Sequence, residues 1–286
     1  MKNVLSELIG TDYKTEEMFR LGAREVLQNV VLNGLSRGNF FKHAAFQGGT
    51  ALRILYSLER FSEDLDFVLF EKEDDFKLER YVHYVESEIS SYGLQVNTKF
   101  RDNAATGISS GEVRCNMKEV VMVIGFPEGL VRGIHRDELL RIKIDVDTNP
   151  PAGANYQKIS RPLPINHYLC VLDKPSLFAG KISAVIGRGW KKRVKGRDFY
   201  DYLWYVKEKV PVNMAYLKNN LEREGIIDKG VDFDLDVLKE LLTARFKSID
   251  YDSAIKDIKS YLLDNTSIPD WNSELFLNTL DKLTFQ

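Results

Sequence analysis

Asp64 and Asp66 stand one residue apart in Arg60-Phe61-Ser62-Glu63-Asp64-Leu65-Asp66-Phe67-Val68, and the run Gln47-Gly48-Gly49-Thr50-Ala51-Leu52-Arg53 precedes them closely. On a strand, side chains alternate between faces, so both carboxylates take one side while Leu65 and Phe67 turn to the core. Two carboxylates so placed repel each other. Solvent or a divalent cation must relieve that repulsion, and hard oxygen ligands of this kind suit Mg²⁺ or Mn²⁺. Gly48 and Gly49 let the backbone approach a ligand with no Cβ in the way, and the first amides of a helix that follows point outward unpaired, where phosphate is attracted. An anion cradle beside a paired-aspartate strand is what a metal–triphosphate complex requires. Either signal alone also fits a bland reading, a simple turn or a solvated strand edge; their order and spacing favour the joint one.

Leu140-Arg141-Ile142-Lys143-Ile144-Asp145-Val146-Asp147 alternates charged and apolar residues. Asp145 on a strand beside the first pair would complete a three-carboxylate set able to hold metal and to activate an attacking hydroxyl. Asp147 takes that place if the register differs, and a merely polar outer face is the alternative. Further on, Lys181 and Arg188 lie seven residues apart, along one helical stripe. From Arg188 to Arg197 the chain holds Arg188, Lys191, Lys192, Arg193, Lys195 and Arg197 with no acidic residue, together with Trp190. Such a loop could engage an RNA backbone while Trp190 stacks on an unpaired base, or it is a solvated basic loop. Asp198 and Asp201 follow at i, i+3 on one helix face.

The Gly-Gly turn with its Asp-x-Asp strand resembles the first motif of the polymerase-β-type nucleotidyltransferases. In its Gly-Gly-Thr form, followed by Arg-Phe-Ser-Glu-Asp-Leu-Asp-Phe, it is similar to the AbiEii/AbiGii-type toxin family. Lys143-x-Asp145, Lys181-x-x-Ala184-x-x-x-Arg188 and Asp198-x-x-Asp201 resemble that family's second, third and fourth motifs, in the same order. The resemblance covers about the first two-thirds of the chain. It implies an α+β nucleotidyltransferase core, a mixed sheet flanked by helices, with a helical C-terminal domain. It also implies a nucleoside triphosphate substrate used with Mg²⁺, a toxin role countered by a cognate antitoxin, and, for better studied relatives, transfer to the 3′ end of tRNA. On this basis Asp64, Asp66 and Asp145 are expected to hold the metal, and Gly48, Gly49, Thr50, Arg53, Ser62, Lys181 and Arg188 to bind the nucleotide. Lys181 neutralises the leaving pyrophosphate in that scheme, and Asp198 supports the site by orienting Lys181 or a basic side chain of the loop.

The surrounding chain bounds these readings. At 286 residues, 44% hydrophobic and 29% charged, this is an ordinary globular composition. With 40 basic and 42 acidic residues the net charge of -2 gives no global pull toward nucleic acid, so any such pull is local. Cys115 and Cys170 show no metal-ligand spacing and read as buried reduced thiols, and the four histidines show none either. Asp232, Asp234 and Asp236 alternate but precede a helical run with no glycine cradle, and so read as a linker and cap. The longest apolar run, Val120 to Phe126, is too short to span a bilayer, and a cytoplasmic location is expected.

Periodicity and caps place the supporting elements. A helix is expected over residues 15–35 capped by Thr15, a strand over 44–47, a helix over 74–91, and strands over 94–100, 111–117, 119–125 and 139–146. Prolines and glycines around 150–164 mark a boundary, with a nucleotidyltransferase-like domain over 1–165 and a helical domain over 166–286 that contributes Lys181 and Asp198. Helices are expected over 175–186, 196–209, 213–224, 235–246, 251–263 and 273–283. Rival functions remain: transfer to a protein or small-molecule hydroxyl, or a non-catalytic nucleotide-binding interaction module.

Overall fold

A computed structural model describes residues 4–9, 15–103, 107–188, 194–262, 266 and 268–286. The chain is α+β and divides into two compact units. The first comprises residues 1–55, 61–150 and 157–171, and the second residues 56–60, 151–156 and 172–286.

The first unit carries α1 (Glu16–Arg37), β1 (Ala44–Gln47), α2 (Gly48–Tyr56), β2 (Leu65–Leu69), α3 (Val82–Ser91), β3 (Val96–Asn103), β4 (Ile108–Asn116), α4 (Met117–Ile124), α5 (Glu128–Val131), β5 (Leu139–Asp147), β6 (Tyr156–Arg161) and β7 (His167–Leu172). The strands form one mixed sheet in the order β3-β4-β5-β2-β1-β7-β6. β2 runs parallel to β5 and antiparallel to β1, while β3–β4 and β4–β5 are antiparallel. Leu140, Ile142, Ile144 and Val146 of β5 are buried, and α1 packs against that strand as well as against α3 and α4. The alternating charged residues of β5 therefore take the opposite face. Thr15 caps α1 through its side chain, accepting from the Met18 amide at 3.3 Å, a bond worth about 1 kcal/mol.

Two local expectations are corrected. Residues 119–125 are helical, not extended: α4 is capped by Asn116, whose side chain accepts from the Glu119 amide, and it ends at Gly125 with φ of 88°. Met117, Val120, Val121 and Ile124 are its buried residues, a helical spacing that outweighs the strand preference of its valines. The helix expected over 74–91 begins only at Val82, preceded by a 3-10 turn over Leu78–Tyr81. β6 and β7 lie where the prolines suggested only a boundary, and Pro164 follows a cis peptide bond between the two strands.

The second unit is helical: α6 (Lys174–Gly187), α7 (Gly196–Lys207), α8 (Met214–Arg223), α9 (Leu235–Lys247), α10 (Tyr251–Lys259) and α11 (Ser273–Leu277). Asp173, Asn213, Asp234, Asp250 and Asn272 each cap the helix that follows through a side-chain oxygen. Tyr202, Phe246 and Phe276 meet at ring distances of 5.2 to 6.2 Å and fill the core, and Phe178 stacks on Tyr205 at 4.5 Å. No helix among the described residues is long and apolar enough to cross a membrane.

Candidate active site

The glycine turn forms where β1 passes directly into α2. Gly48 has φ of +79°, and a Cβ there would stand 2.6 Å from Asp66 Oδ2. Both facts demand glycine, the first through backbone sterics and the second through space. The turn therefore lies against the Asp66 carboxylate, with the α2 N-terminus at the same place. Thr50 is buried, and its hydroxyl donates to the Asp64 carbonyl, so its side chain fixes the start of β2. Ser62 is half-buried; its carbonyl and that of Glu63 accept from Gln28 Nε2 at 3.1 and 3.0 Å. Arg53 donates to Glu25 at 2.7 Å and lies over the Phe61 ring at 4.3 Å, engaged within the unit.

Strand register brings the carboxylates together. Asp66 stands opposite Asp145 in the parallel β2–β5 pair, and Asp145 stands opposite Ser110 in the antiparallel β4–β5 pair. The register places Asp147 opposite Val68, two pairs further on, so Asp145 is the carboxylate beside Asp66. Ser110 Oγ donates to Asp145 Oδ1 at 2.7 Å and Lys143 Nζ to Asp145 Oδ2 at 2.5 Å. Lys143 holds its proton more tightly than an ordinary lysine. The hydrogen bond to Asp145 is the main cause, and the charges of Asp145, Asp64 and Asp66 add to it against partial burial.

Among the described residues no three His, Cys, Asp or Glu side chains are drawn together as a ready metal cage. The donor set nevertheless fits a hard divalent cation. Three carboxylates already act together on one ammonium group, and the Gly48 turn leaves open the space beside Asp66 that a side chain would fill. Ser110 and Lys143 are functional neighbours that sequence reasoning left without a role in this cluster. Lys143 was visible as the first residue of Lys-x-Asp, whereas Ser110 carries no sequence signal and emerges only from the register.

A separate charge network organises the second unit. Lys181 Nζ donates to Asp198 Oδ1 at 2.6 Å and lies 2.8 Å from Asp201 Oδ2. Arg60 grips Asp201 with both arms, Nε to Oδ1 at 2.5 Å and one terminal nitrogen to Oδ2 at 2.6 Å. Arg188 donates to Asp198 Oδ2 at 2.6 Å. Asp198, Asp201 and Arg60 are 3%, 0% and 2% exposed. Burial alone would raise the Asp198 carboxyl, but the charges of Lys181 and Arg188 outweigh it and hold Asp198 below the ordinary carboxylate range. Burial likewise opposes the charge on Arg60, and Asp201 more than offsets it.

The pairing of Asp198 with Lys181 is the contact expected from the sequence. Asp201 is paired as fully as Asp198: it meets Lys181 and Arg60 where Asp198 meets Lys181 and Arg188. Arg60 went unassigned because its partner lies 141 residues away. Of the basic loop, Trp190, Lys191, Lys192 and Arg193 lie outside the described residues. Lys195 is exposed, whereas Arg197 lies over the Tyr261 ring at 4.1 Å and is largely covered.

Comparison with known proteins agrees with the motifs. A family model described as nucleotidyl transferase AbiEii toxin of type IV toxin–antitoxin systems matches residues 30–278. Among solved structures, the MenT4 nucleotidyltransferase toxin of Mycobacterium tuberculosis matches over 94% of this chain and 85% of its own, with 16% identity and a TM-score of 0.59. JHP933 of Helicobacter pylori matches over 90% of this chain and 87% of its own, with 19% identity and a TM-score of 0.49. The MenT4 match shows a shared fold. No curated protein sequence matches.

Proposed function

From the chain's membership of the AbiEii family of nucleotidyltransferase toxins, which act in type IV toxin–antitoxin systems, we propose that it transfers a nucleotide from a Mg²⁺-bound nucleoside triphosphate to RNA, at the 3′ end of tRNA. The proposal places this activity in the cytoplasm, opposed by a cognate antitoxin. The observation that carries the metal and nucleotide part is the in-register pair Asp66 and Asp145 beside the Gly48 turn.

Asp64, Asp66 and Asp145 would hold the divalent cation, which when bound supplies charge neutralisation on the triphosphate and lowers the cost of the developing negative charge. The Gly48–Gly49 turn and the α2 N-terminus supply amides toward the phosphates. Asp145 takes part in activating the acceptor hydroxyl, whose oxygen attacks the α-phosphate while the bond to pyrophosphate breaks. Lys143, hydrogen-bonded to Asp145, holds its proton more tightly than an ordinary lysine in this cluster. Ser110 and Lys143 each hold one oxygen of Asp145 and so fix the orientation of its carboxylate. Lys181, Arg188 and Asp198 are assigned to nucleotide handling on the family pattern, with Asp198 and Asp201 fixing the position of the Lys181 ammonium. The tRNA acceptor rests on the same resemblance.

The test incubates purified protein with Mg²⁺, each α-labelled ribonucleoside triphosphate in turn and total tRNA, followed by denaturing gels beside an Asp66→Ala control. The expected result is label on RNA that disappears in the variant. Label moving to protein would replace the acceptor, and unchanged labelling by Asp66→Ala would overturn the assignment of the site.

A further inference from the structure

Beside the carboxylates the sheet presents a cleft of about 590 Å³ on the polar face of β3, β4 and β5. Its cations are Arg24, Lys99, Arg101, Arg114, Arg141 and Lys143, against the three carboxylates of Glu63, Asp64 and Glu112. In a chain of net charge -2 this is a local reversal of sign. Register explains how it arises. Arg101 pairs with Ser110 and Ser110 with Asp145; Lys99 pairs with Glu112 and Glu112 with Lys143; Arg114 pairs with Arg141. Alternation puts all these side chains on one face, while Val113, Ile142 and Ile144 fill the other.

Some of this charge is internally compensated and some is not. Arg114 is ion-paired with Glu112, Lys143 with Asp145 and Arg24 with Glu63. Arg141 is 3.9 Å from Glu112 and mostly exposed. Lys99 and Arg101 are exposed and form no ion pair among the described residues. Lys99 and Arg101 on β3 and, across β4, the mostly exposed Arg141 with only its 3.9 Å approach to Glu112 thus face solvent or a ligand.

We infer that this face is the binding surface for the phosphodiester backbone of the RNA acceptor, with Lys99, Arg101 and Arg141 as its principal contacts. The inference rests on the reading that RNA is the acceptor. Strands lie about 4.8 Å apart and alternate residues about 6.6 Å apart along a strand, so these cations spread over roughly 10 Å in two directions. Such a spread suits successive phosphates of an extended chain; a triphosphate is a compact group that the Gly48 turn and the aspartates already address. The row holding Arg101 continues through Ser110 to Asp145 and Asp66, so a strand lying on the cations has its end directed to the carboxylates. The cleft lining includes no aromatic side chain among the described residues. This face therefore grips backbone without reading bases, and its contribution is salt-dependent and indifferent to sequence.

The experiment uses the full chain carrying Lys99→Gln, Arg101→Gln and Arg141→Gln together, with a charge-preserving Lys99→Arg, Arg101→Lys, Arg141→Lys protein as companion and thermal melts of both as a check on folding. Binding of 5′-fluorescein-labelled total tRNA is followed by anisotropy across a salt series, and binding of the nucleoside triphosphate with Mg²⁺ is measured separately. The expected result for the glutamine variant is tRNA binding roughly tenfold weaker or worse, and a log K against log salt slope shallower by about 2. Triphosphate binding stays unchanged, and the charge-preserving companion keeps the wild-type slope. An unchanged slope in the glutamine variant overturns the inference, as does loss of triphosphate binding with tRNA binding intact. If the wild-type protein neither binds nor labels tRNA, the acceptor reading itself has failed, an outcome distinct from a wild type that labels tRNA alongside a glutamine variant that does so equally well.

Discussion

Asp66 and Asp145 stand half-buried opposite each other on neighbouring strands, with Ser110 and Lys143 hydrogen-bonded to the two oxygens of Asp145. Asp198 and Asp201 lie buried on one face of α7, enclosed by Lys181, Arg60 and Arg188. Both groups are pairs of aspartates at close spacing, and both match motifs of one family. Their physical situations differ in what completes them. In the helical unit three cations meet two carboxylates and no outside ion is needed to make burial tolerable. On the sheet a single lysine, Lys143, bonds Asp145 and also feels the charges of Asp64 and Asp66. The first arrangement is largely held together by its own ion pairs, while under the proposed function the second would hold the metal. Mutations should separate the two roles cleanly.

The largest expected effect on stability is at Asp201. Removing its carboxylate by Asp201→Ala leaves the Arg60 guanidinium buried without its bidentate partner, which costs about 3–5 kcal/mol. Urea unfolding monitored by circular dichroism measures this. Asp66→Ala, at a half-buried surface position, should change the same quantity by less than about 1 kcal/mol. A double variant, Arg60→Met with Asp201→Leu, should recover most of the loss because it removes the unpaired charge along with its partner. If Asp201→Ala unfolds at the same urea concentration as wild type, the contrast between the two clusters collapses.

Gly48 sharpens the comparison from the sheet side, since the backbone there is shaped around the carboxylate. Gly48→Ala places a side chain at positive φ and within 2.6 Å of Asp66 Oδ2, so it should lower stability by about 1–3 kcal/mol and reduce transfer by displacing the carboxylate. Gly180, inside α6 with open space where its Cβ would lie, should respond with the opposite sign. Gly180→Ala is expected to stabilise by about 0.5–1 kcal/mol through helix propensity alone. Thermal melts of the pair decide it: equal responses would mean that the Gly48 turn is an ordinary turn.

What the sequence revealed follows the range of the interaction. Caps such as Thr15 and Asp234 and the glycine turn are local, and were legible from neighbours a few residues away. α4 was misread because its valines favour strand locally, while the Asn116 cap and the burial of Met117, Val120, Val121 and Ile124 decide for helix. The choice of Asp145 over Asp147 depended on strand register, and register is fixed by packing over the whole sheet. Lys99, Arg101 and Arg141 carry no joint signal in the sequence, because no sequence window contains β3 and β5 together. Arg60 and Asp201 are the extreme case, a bidentate pair 141 residues apart.

The smallest expected effect tests whether the helical cluster is held by charge. Asp198 titrates below the ordinary carboxylate range because Lys181 and Arg188 outweigh the penalty of burial. Folding therefore stabilises its ionised form, and that contribution is complete at pH values above the unfolded value of about 4. As pH falls below about 4 and through the folded value, the carboxyl takes up its proton and the contribution is lost, at no more than about 1.4 kcal/mol per pH unit. Asp198→Asn cannot ionise and lacks this term. The stability difference between wild type and Asp198→Asn, from urea titrations at closely spaced pH, should stay level from pH 5 to 8 and narrow steadily toward pH 3. A difference that stays constant to pH 3 would show that Asp198 contributes through shape and hydrogen bonding alone, making the enclosure by Lys181 and Arg188 incidental to its role.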